Sequence, residues 1–70
     1  MRVGIVGAGQ GGSRVLSVLN SLPEVEVVGV VDRNPEAPGI KLAGKLGIAT
    51  GDDISFLLQQ SNLSMVIEVT

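Results

Sequence analysis

A cluster of glycines near the amino terminus constrains the fold of this chain more than any other sequence feature. Residues 7–12 read Gly-Ala-Gly-Gln-Gly-Gly, so four of these six residues are glycine. The cluster follows a short run rich in β-branched residues, Arg2–Val6, and precedes a helical pattern. Because glycine accepts positive φ angles and close approach by another backbone, the sequence predicts a tight turn from a buried strand into a helix.

The rest of the chain alternates between helix and strand patterns. Helical spacing predicts a first helix that buries Val15, Val18, Leu19 and Leu22, and a third that buries Ile54, Leu57 and Leu58. After the first strand and helix, the predicted elements are a strand at Glu24–Asp32, a helix at Pro38–Leu46, a strand at Ile48–Thr50, a helix at Asp53–Ser61 and a strand at Leu63–Thr70.

Residues with special backbone preferences mark the ends of these helices. Pro23 ends the first helix, because the residue before a proline avoids helical geometry. Pro38 suits the first position of the second helix, and Gly47 suits the position after its last turn. Asp52 or Asp53 is expected to cap the third helix rather than bind a metal, because no further oxygen ligands are evident nearby.

This alternation predicts an α/β fold whose parallel strands are joined by right-handed crossovers. We expect the order β-α-β-α-β-α-β with strand order 3-2-1-4, a Rossmann-like sheet that forms the first half of a doubly wound domain. Phe56 is the only aromatic residue, so the core is expected to consist of aliphatic side chains, as in buried parallel sheets. Residues 1–70 are therefore predicted to form one Rossmann half-domain.

The spacing Gly7-x-Gly9-x-x-Gly12 gives the predicted turn a chemical function. Gly7 permits the turn, Gly9 leaves room for a pyrophosphate against the backbone, and Gly12 lets the helix pack close to the strand. The amino terminus of the helix then presents N–H groups and a positive dipole end to the phosphates. The predicted cofactor-binding loop consists of Gly7, Ala8, Gly9, Gln10, Gly11 and Gly12.

Asp32 lies at the end of the second predicted strand, 20 residues after Gly12. A carboxylate there can accept hydrogen bonds from both ribose hydroxyls of a nicotinamide dinucleotide, and it repels the 2′-phosphate of NADP. Arg33 leaves an alternative open, because an arginine here can pair with that phosphate, stack on adenine or face solvent. We therefore predict a cofactor site that includes Asp32 and Arg33 and prefers NAD, with NADP as the alternative.

Three other protein classes share part of this pattern. A P-loop needs a lysine after its last glycine, whereas Ser13 follows Gly12 directly. Methyltransferases that bind S-adenosylmethionine usually have an acidic residue two positions before the first glycine, where this chain has Ile5, and helices before the first strand. Flavoproteins mostly have Glu at the position of Asp32. A dinucleotide site is favoured, and an S-adenosylmethionine site is the weaker alternative.

The composition argues against several other functions. Without cysteine or histidine, the chain has no disulfide, no Cys or His metal site and no histidine base. A net charge of −2 without a basic cluster argues against nucleic-acid binding. No apolar run is long enough to span a membrane, and the first residues do not resemble a signal peptide. We expect a cytoplasmic protein with no membrane partner.

For a few polar residues near the predicted site, the sequence gives weaker evidence of a functional role. Ser13 lies on the first helical turn, where its hydroxyl can reach a phosphate, and Arg14 is expected to face solvent. Glu68 lies in the last predicted strand and is expected to be a solvent-facing carboxylate. We predict no metal ligand.

Three stretches resemble the amino-terminal part of the Gfo/Idh/MocA-type oxidoreductases: Arg2–Gly9, Val28–Pro35 and Lys45–Ile48. Met65–Thr70 looks like the fourth strand of homoserine and aspartate dehydrogenase-like proteins. The resemblance implies the NAD(P)-binding part of an NAD(P)-dependent dehydrogenase and leaves the substrate open. The catalytic Lys or His of that family would follow Thr70, so no catalytic residue is predicted and the chain alone is expected to be inactive. A nucleotide-sensing module is the alternative, since similar half-domains are attached to signalling proteins.

The last predicted strand gives an expectation about assembly. In the order 3-2-1-4 the strand Met65–Val69 lies at an edge, although its composition is that of an interior strand. Free backbone groups and apolar side chains at an edge favour pairing with another chain. We therefore expect a homodimer or a larger self-association through this strand or through the sheet face that only the third predicted helix covers.

Overall fold

The computed structural model describes residues 1–69 as a sheet of four strands with helices packed on both of its faces. In chain order the elements are β1 (Arg2–Val6), α1 (Gln10–Asn20), β2 (Glu26–Val31), α2 (Pro38–Lys45), β3 (Thr50–Gly51), α3 (Ile54–Leu58) and β4 (Met65–Glu68). All pairings are parallel, in the order β3-β2-β1-β4. The predicted α/β fold and its strand order are therefore confirmed.

An aliphatic core lies between the sheet and the helices α1 and α2. Ile5 of β1 and Val30 of β2 are fully buried there, together with Leu16 of α1 and Ala43 of α2. Burying a large aliphatic side chain contributes about 1.5–3 kcal/mol, so the few large ones in this core matter greatly in so small a domain. The buried hydrophobic residues are Val, Ile, Leu and Ala, as the composition predicts.

The opposite face of the sheet is covered by α3, and two glycines make this contact possible. Gly4 of β1 and Gly29 of β2 are paired in register. A Cβ on either glycine would lie 2.8 Å from Leu57 Cδ2, which is closer than packed atoms approach. Leu57 is completely buried in the space that the glycines leave.

The apolar faces predicted for α1 and α3 are partly wrong. In α1 the fully buried residue is Leu16, while Val18 is 60% exposed. The reason is that Gly12 packs against the loop before α1, and Leu16 lies one turn further on the same face. In α3 only Leu57 is buried, and Leu58 is 66% exposed.

Several element boundaries differ from the sequence prediction, among them the start of β4, which is Met65 rather than Leu63. The Val25 N–H donates to the Leu22 carbonyl at 3.1 Å, so β2 begins at Glu26 rather than Glu24. The strand predicted at Ile48–Thr50 is instead the two-residue β3, because the Ile48 N–H donates to a carbonyl of the last turn of α2. The helix α3 ends at Leu58 rather than Ser61. Thr70, the last residue of the predicted fourth strand, lies outside the described residues.

The ends of α2 agree with the sequence prediction, whereas α1 ends at Asn20, before Leu22 and Pro23. Pro38 is the first residue of α2, and Gly47 follows its end with a φ of +73°. Asp53 occupies the N-cap position of α3, but its carboxylate makes no capping hydrogen bond and accepts one from the Ser55 hydroxyl at 3.0 Å instead. Among residues 1–69, no helix is both long enough and apolar enough to cross a membrane.

Candidate functional site

The glycine loop joins the carboxyl end of β1 to the amino end of α1. Gly7 has a φ of +98°, a conformation that side chains strongly disfavour, and its N–H donates to the Val31 carbonyl at 2.9 Å. A Cβ on Gly12 would overlap the carbonyl oxygen of Gly7. These two glycines therefore allow the tight turn and the close contact between α1 and the strand that the motif predicts.

The amino terminus of α1 is open at Gly9. Gly9 is the N-cap residue, and a Cβ built on it would meet no atom within 4 Å. In the described part of the chain, no side chain caps this helix and no acidic residue lies in its first turn. Because the first N–H groups of a helix have no partner within it, this end is suited to bind an anion.

Ala8, between these glycines, is held by hydrogen bonds on both of its backbone polar groups. Its N–H donates to Asp32 Oδ2 at 2.7 Å, and its carbonyl accepts the Gly39 N–H at 2.6 Å. The first contact brings together two residues that the sequence assigns to the site. The second contact involves Gly39, which is not among the site residues predicted from the sequence. A glycine at the second position of α2 is nevertheless a sequence signal of close packing.

Asp32 is the carboxylate at the carboxyl end of β2, and backbone donors hold it in place. The Asn34 N–H donates to Oδ1 at 2.8 Å, and the Ala8 N–H donates to Oδ2. The Asn34 bond, followed by the Ala8 bond, lowers the pKa of the Asp32 carboxyl below its ordinary value, and partial burial acts in the opposite direction. The carboxylate is therefore ionised at neutral pH.

Two adjoining clefts lie at the carboxyl ends of the strands. They share Asp32, Arg33 and Asp52, and they differ in volume and in the remaining lining. The larger, about 430 Å³, is also lined by Val6, Val31, Asp53, Ile54 and Glu68. The smaller, about 280 Å³, is also lined by Pro35, Ile40, Thr50 and Gly51. Ligands of open α/β sheets bind at this end of the strands, so the clefts extend the candidate site beyond the loop.

The remaining sequence-assigned residues surround this region. Gln10 and Gly11 are exposed at the start of α1, and Arg14 is exposed one turn later. The Ser13 N–H donates to the Gly9 carbonyl at 2.8 Å. Glu68 is exposed, as expected, and its side chain also lines the larger cleft. Within the described residues, no acidic cluster is arranged to hold a metal ion.

A parallel sheet of this order, a glycine turn at a helix amino terminus and a carboxylate at the end of the second strand together define a Rossmann-type dinucleotide-binding domain. The model of the Gfo/Idh/MocA oxidoreductase family, described as having an NAD-binding Rossmann fold, matches residues 1–70. The chain therefore belongs to this family, as its resemblance predicts.

Solved structures support the same assignment. GenD2 from gentamicin A biosynthesis, crystallised in complex with NAD, is 28% identical over the whole chain with a TM-score of 0.89. An NAD-binding protein from Listeria innocua is 25% identical over 99% of the chain with a TM-score of 0.79. A protein from Desulfitobacterium hafniense described as an NADPH-dependent oxidoreductase, 17% identical over the whole chain with a TM-score of 0.83, shares the fold. The chain spans 20% of the length of each. Comparison with curated proteins gave no match.

Proposed function

We propose that the chain binds NAD(H), with the pyrophosphate over Gly9 and Gly12 at the amino terminus of α1. The main support is the open and uncapped helix end at Gly9. Backbone N–H groups of Gln10 and Gly11, at the first positions of α1, would add to the positive dipole end there. No lysine is needed for phosphate binding of this kind.

The ribose next to adenine would bind at Asp32. Each carboxylate oxygen offers about two acceptor positions, and each oxygen of Asp32 accepts one backbone N–H. Acceptor positions therefore remain for the 2′ and 3′ hydroxyls of the ribose. The adjoining clefts, which Arg33 also lines, are the space into which the adenine would extend.

The charge of this region favours NAD over NADP. A 2′-phosphate would lie beside the ionised Asp32 and near Asp52, which lines both clefts. Arg33 is the only cation that lines the two described clefts. Because like charges repel each other, we expect NADP to bind more weakly than NAD.

We further propose that residues 1–70 are the dinucleotide-binding half-domain of a larger cytoplasmic NAD(P)-dependent oxidoreductase. The family membership and the share of the solved chains that this chain covers support this view. No residue of the chain is proposed as catalytic. The alternative is a nucleotide-sensing module that catalyses no reaction. Such a module would bind its nucleotide at the same site.

Partners other than the cofactor follow from charge and from the edge of the sheet. The net charge of −2 gives no support for nucleic-acid binding.

Among the described strands, β4 pairs with β1 alone, and Met65 is 46% exposed. For the 70-residue chain by itself we propose that a second copy pairs along this edge, where a fifth strand would pair in a whole doubly wound domain.

Replacing Gly9 tests the proposed phosphate position. Gly9→Val puts a side chain where the pyrophosphate is proposed to lie, and because the site has space around it and a φ of −67°, the fold is expected to persist. We expect NADH binding, measured by calorimetric titration, to be lost while the melting temperature changes little.

A matched control is Gly44→Val in α2, since Gly44 also has no atom within 4 Å of its Cβ position. This variant is expected to bind NADH like the parent. If Gly9→Val binds NADH as tightly as the parent does, the proposed site is wrong.

A further inference from the structure

The Ala8 peptide is the point where three parts of the fold meet. The loop provides Ala8, the end of β2 provides the Asp32 carboxylate that accepts its N–H, and α2 provides the Gly39 N–H that donates to its carbonyl. Ala8 is itself completely buried. Neither Asp32 nor Gly39 belongs to the glycine loop, so the loop is held by residues distant in sequence.

The contact with Gly39 requires the absence of a side chain. A Cβ on Gly39 would lie 2.8 Å from Ala8 Cβ and 2.9 Å from the Ala8 carbonyl oxygen. Gly44, in the same helix, has nothing within 4 Å of its Cβ position. A glycine is therefore needed at position 39 for the approach of α2 to the loop, whereas at position 44 it is not.

These two contacts bear directly on the proposed phosphate site. Only residues 7–9 connect β1 to α1. The flanking residues leave Ala8 little freedom, because the Gly7 N–H donates to the Val31 carbonyl and Gly9 is the N-cap of α1. Any shift of Ala8 would therefore move the N–H groups that are proposed to bind the phosphates.

We propose that Asp32 and Gly39 are positioning residues that fix the Ala8 peptide, so that the phosphate-binding N–H groups are in place before the cofactor arrives. The inference rests on the proposed function, because it concerns the same pyrophosphate site. Asp32 then has two roles. It accepts the Ala8 N–H and so holds the loop, and it would accept hydrogen bonds from the ribose hydroxyls. Holding a loop in its bound conformation increases affinity by reducing the entropy lost on binding.

The two roles of Asp32 can be separated with ligands that differ only in the ribose. ADP has both ribose hydroxyls, whereas 2′,3′-dideoxy-ADP keeps the diphosphate and lacks them. Affinities of the parent and of Asp32→Ala, Gly39→Ala and Gly44→Ala for both ligands are measured by calorimetry. If Asp32 acted on the ribose alone, its removal would leave the dideoxy ligand unaffected.

We expect Asp32→Ala to weaken the binding of the dideoxy ligand roughly tenfold, which is the equivalent of one hydrogen bond to a charged group. The binding of ADP should be weakened by a larger factor. Gly39→Ala is expected to weaken both ligands by the same factor, and Gly44→Ala neither. The inference is overturned if both Asp32→Ala and Gly39→Ala leave the affinity for dideoxy-ADP unchanged while the parent binds both ligands. A parent that binds neither ligand contradicts the proposed function itself.

Hydrogen exchange of the unliganded protein keeps the inference testable should Gly39→Ala fail to fold. In Asp32→Ala the Ala8 amide is expected to exchange faster than in the parent. The Val30 amide, which donates to the Ala49 carbonyl in the sheet, is the internal reference and is expected to exchange at an unchanged rate. Equal exchange of Ala8 in parent and variant would overturn the positioning role of Asp32.

Discussion

Asp32 and the glycines of the loop show what sequence spacing can reveal at the scale of single residues. Gly7 and Gly12 were predictable because each satisfies a backbone requirement that only glycine meets, and both have the predicted geometry. The hydrogen bond between Ala8 and Asp32 was not predictable, because it joins residues 24 apart whose approach depends on the folded sheet. The same reason explains why Gly39 was missed.

The preference between cofactors is a residue-scale prediction for Asp32. Asp32→Ala should weaken NADH binding by on the order of 1.5–3 kcal/mol, because hydrogen bonds from the ribose to a charged group are lost. NADPH should lose less, since its 2′-phosphate has no hydroxyl to donate and is repelled by the native carboxylate. Calorimetric titration of parent and variant with both cofactors measures the difference.

Asp52→Ala is the control for this experiment. Asp52 lines the same clefts as Asp32, so the variant removes one negative charge from the region without removing a contact to the loop. We expect it to affect NADH binding little. Equal weakening of NADH and NADPH by Asp32→Ala would exclude Asp32 from the ribose site.

At the scale of elements, the sequence predicts the helices but not which of their faces is buried. Apolar spacing marks Val18 as a core residue of α1, yet Val18 is exposed and Leu16 is buried instead. The orientation of α1 is set by the contact of Gly12 with the loop, which periodicity alone does not include. The short α3 has the same limitation, because a helix of five residues has too few positions to define a face.

The attachment of α3 to the sheet depends mainly on Leu57, while Phe56 packs beside Gly29 and Gly51. Leu57 is the only buried residue of this helix and fills the space above Gly4 and Gly29. Leu57→Ala should therefore lower the free energy of unfolding by about 2–5 kcal/mol, the usual range for a buried leucine. Urea denaturation followed by circular dichroism measures this change.

The neighbouring residue offers a matched comparison. Leu58 lies on the same helix and is 66% exposed, so Leu58→Ala should change the free energy of unfolding by no more than about 0.5 kcal/mol. Similar losses for the two variants would mean that α3 does not pack on the sheet through Leu57.

For the molecule as a whole, the alternation of elements, the rule of right-handed crossovers and the usual order of doubly wound sheets together predicted the strand order. They worked because each crossover must place its helix on one face of the sheet. Assembly is different, since it depends on the surface rather than on chain connectivity. The expected self-association therefore stays a prediction, which the position of β4 at the edge of the sheet makes specific.

Sedimentation at micromolar concentration tests self-association. We expect a dimer or larger species of the 70-residue chain, because β4 pairs with β1 alone among the described strands and Met65 is partly exposed. Ile67→Lys places a charge on this strand and should shift the equilibrium toward monomer. Leu46→Lys, at an exposed apolar position after α2, should not. A parent chain that sediments as a monomer, with Ile67→Lys changing nothing, would refute pairing through β4.

The central claim, that this chain is a dinucleotide-binding domain, is tested most directly by calorimetric titration of the folded 70-residue chain. NADH, NADPH and S-adenosylmethionine are titrated in turn under identical conditions. The glycine loop, the open end of α1 and Asp32 lead us to expect saturable binding of NADH, weaker binding of NADPH and no heat from S-adenosylmethionine. Binding of S-adenosylmethionine without binding of NADH would contradict the claim.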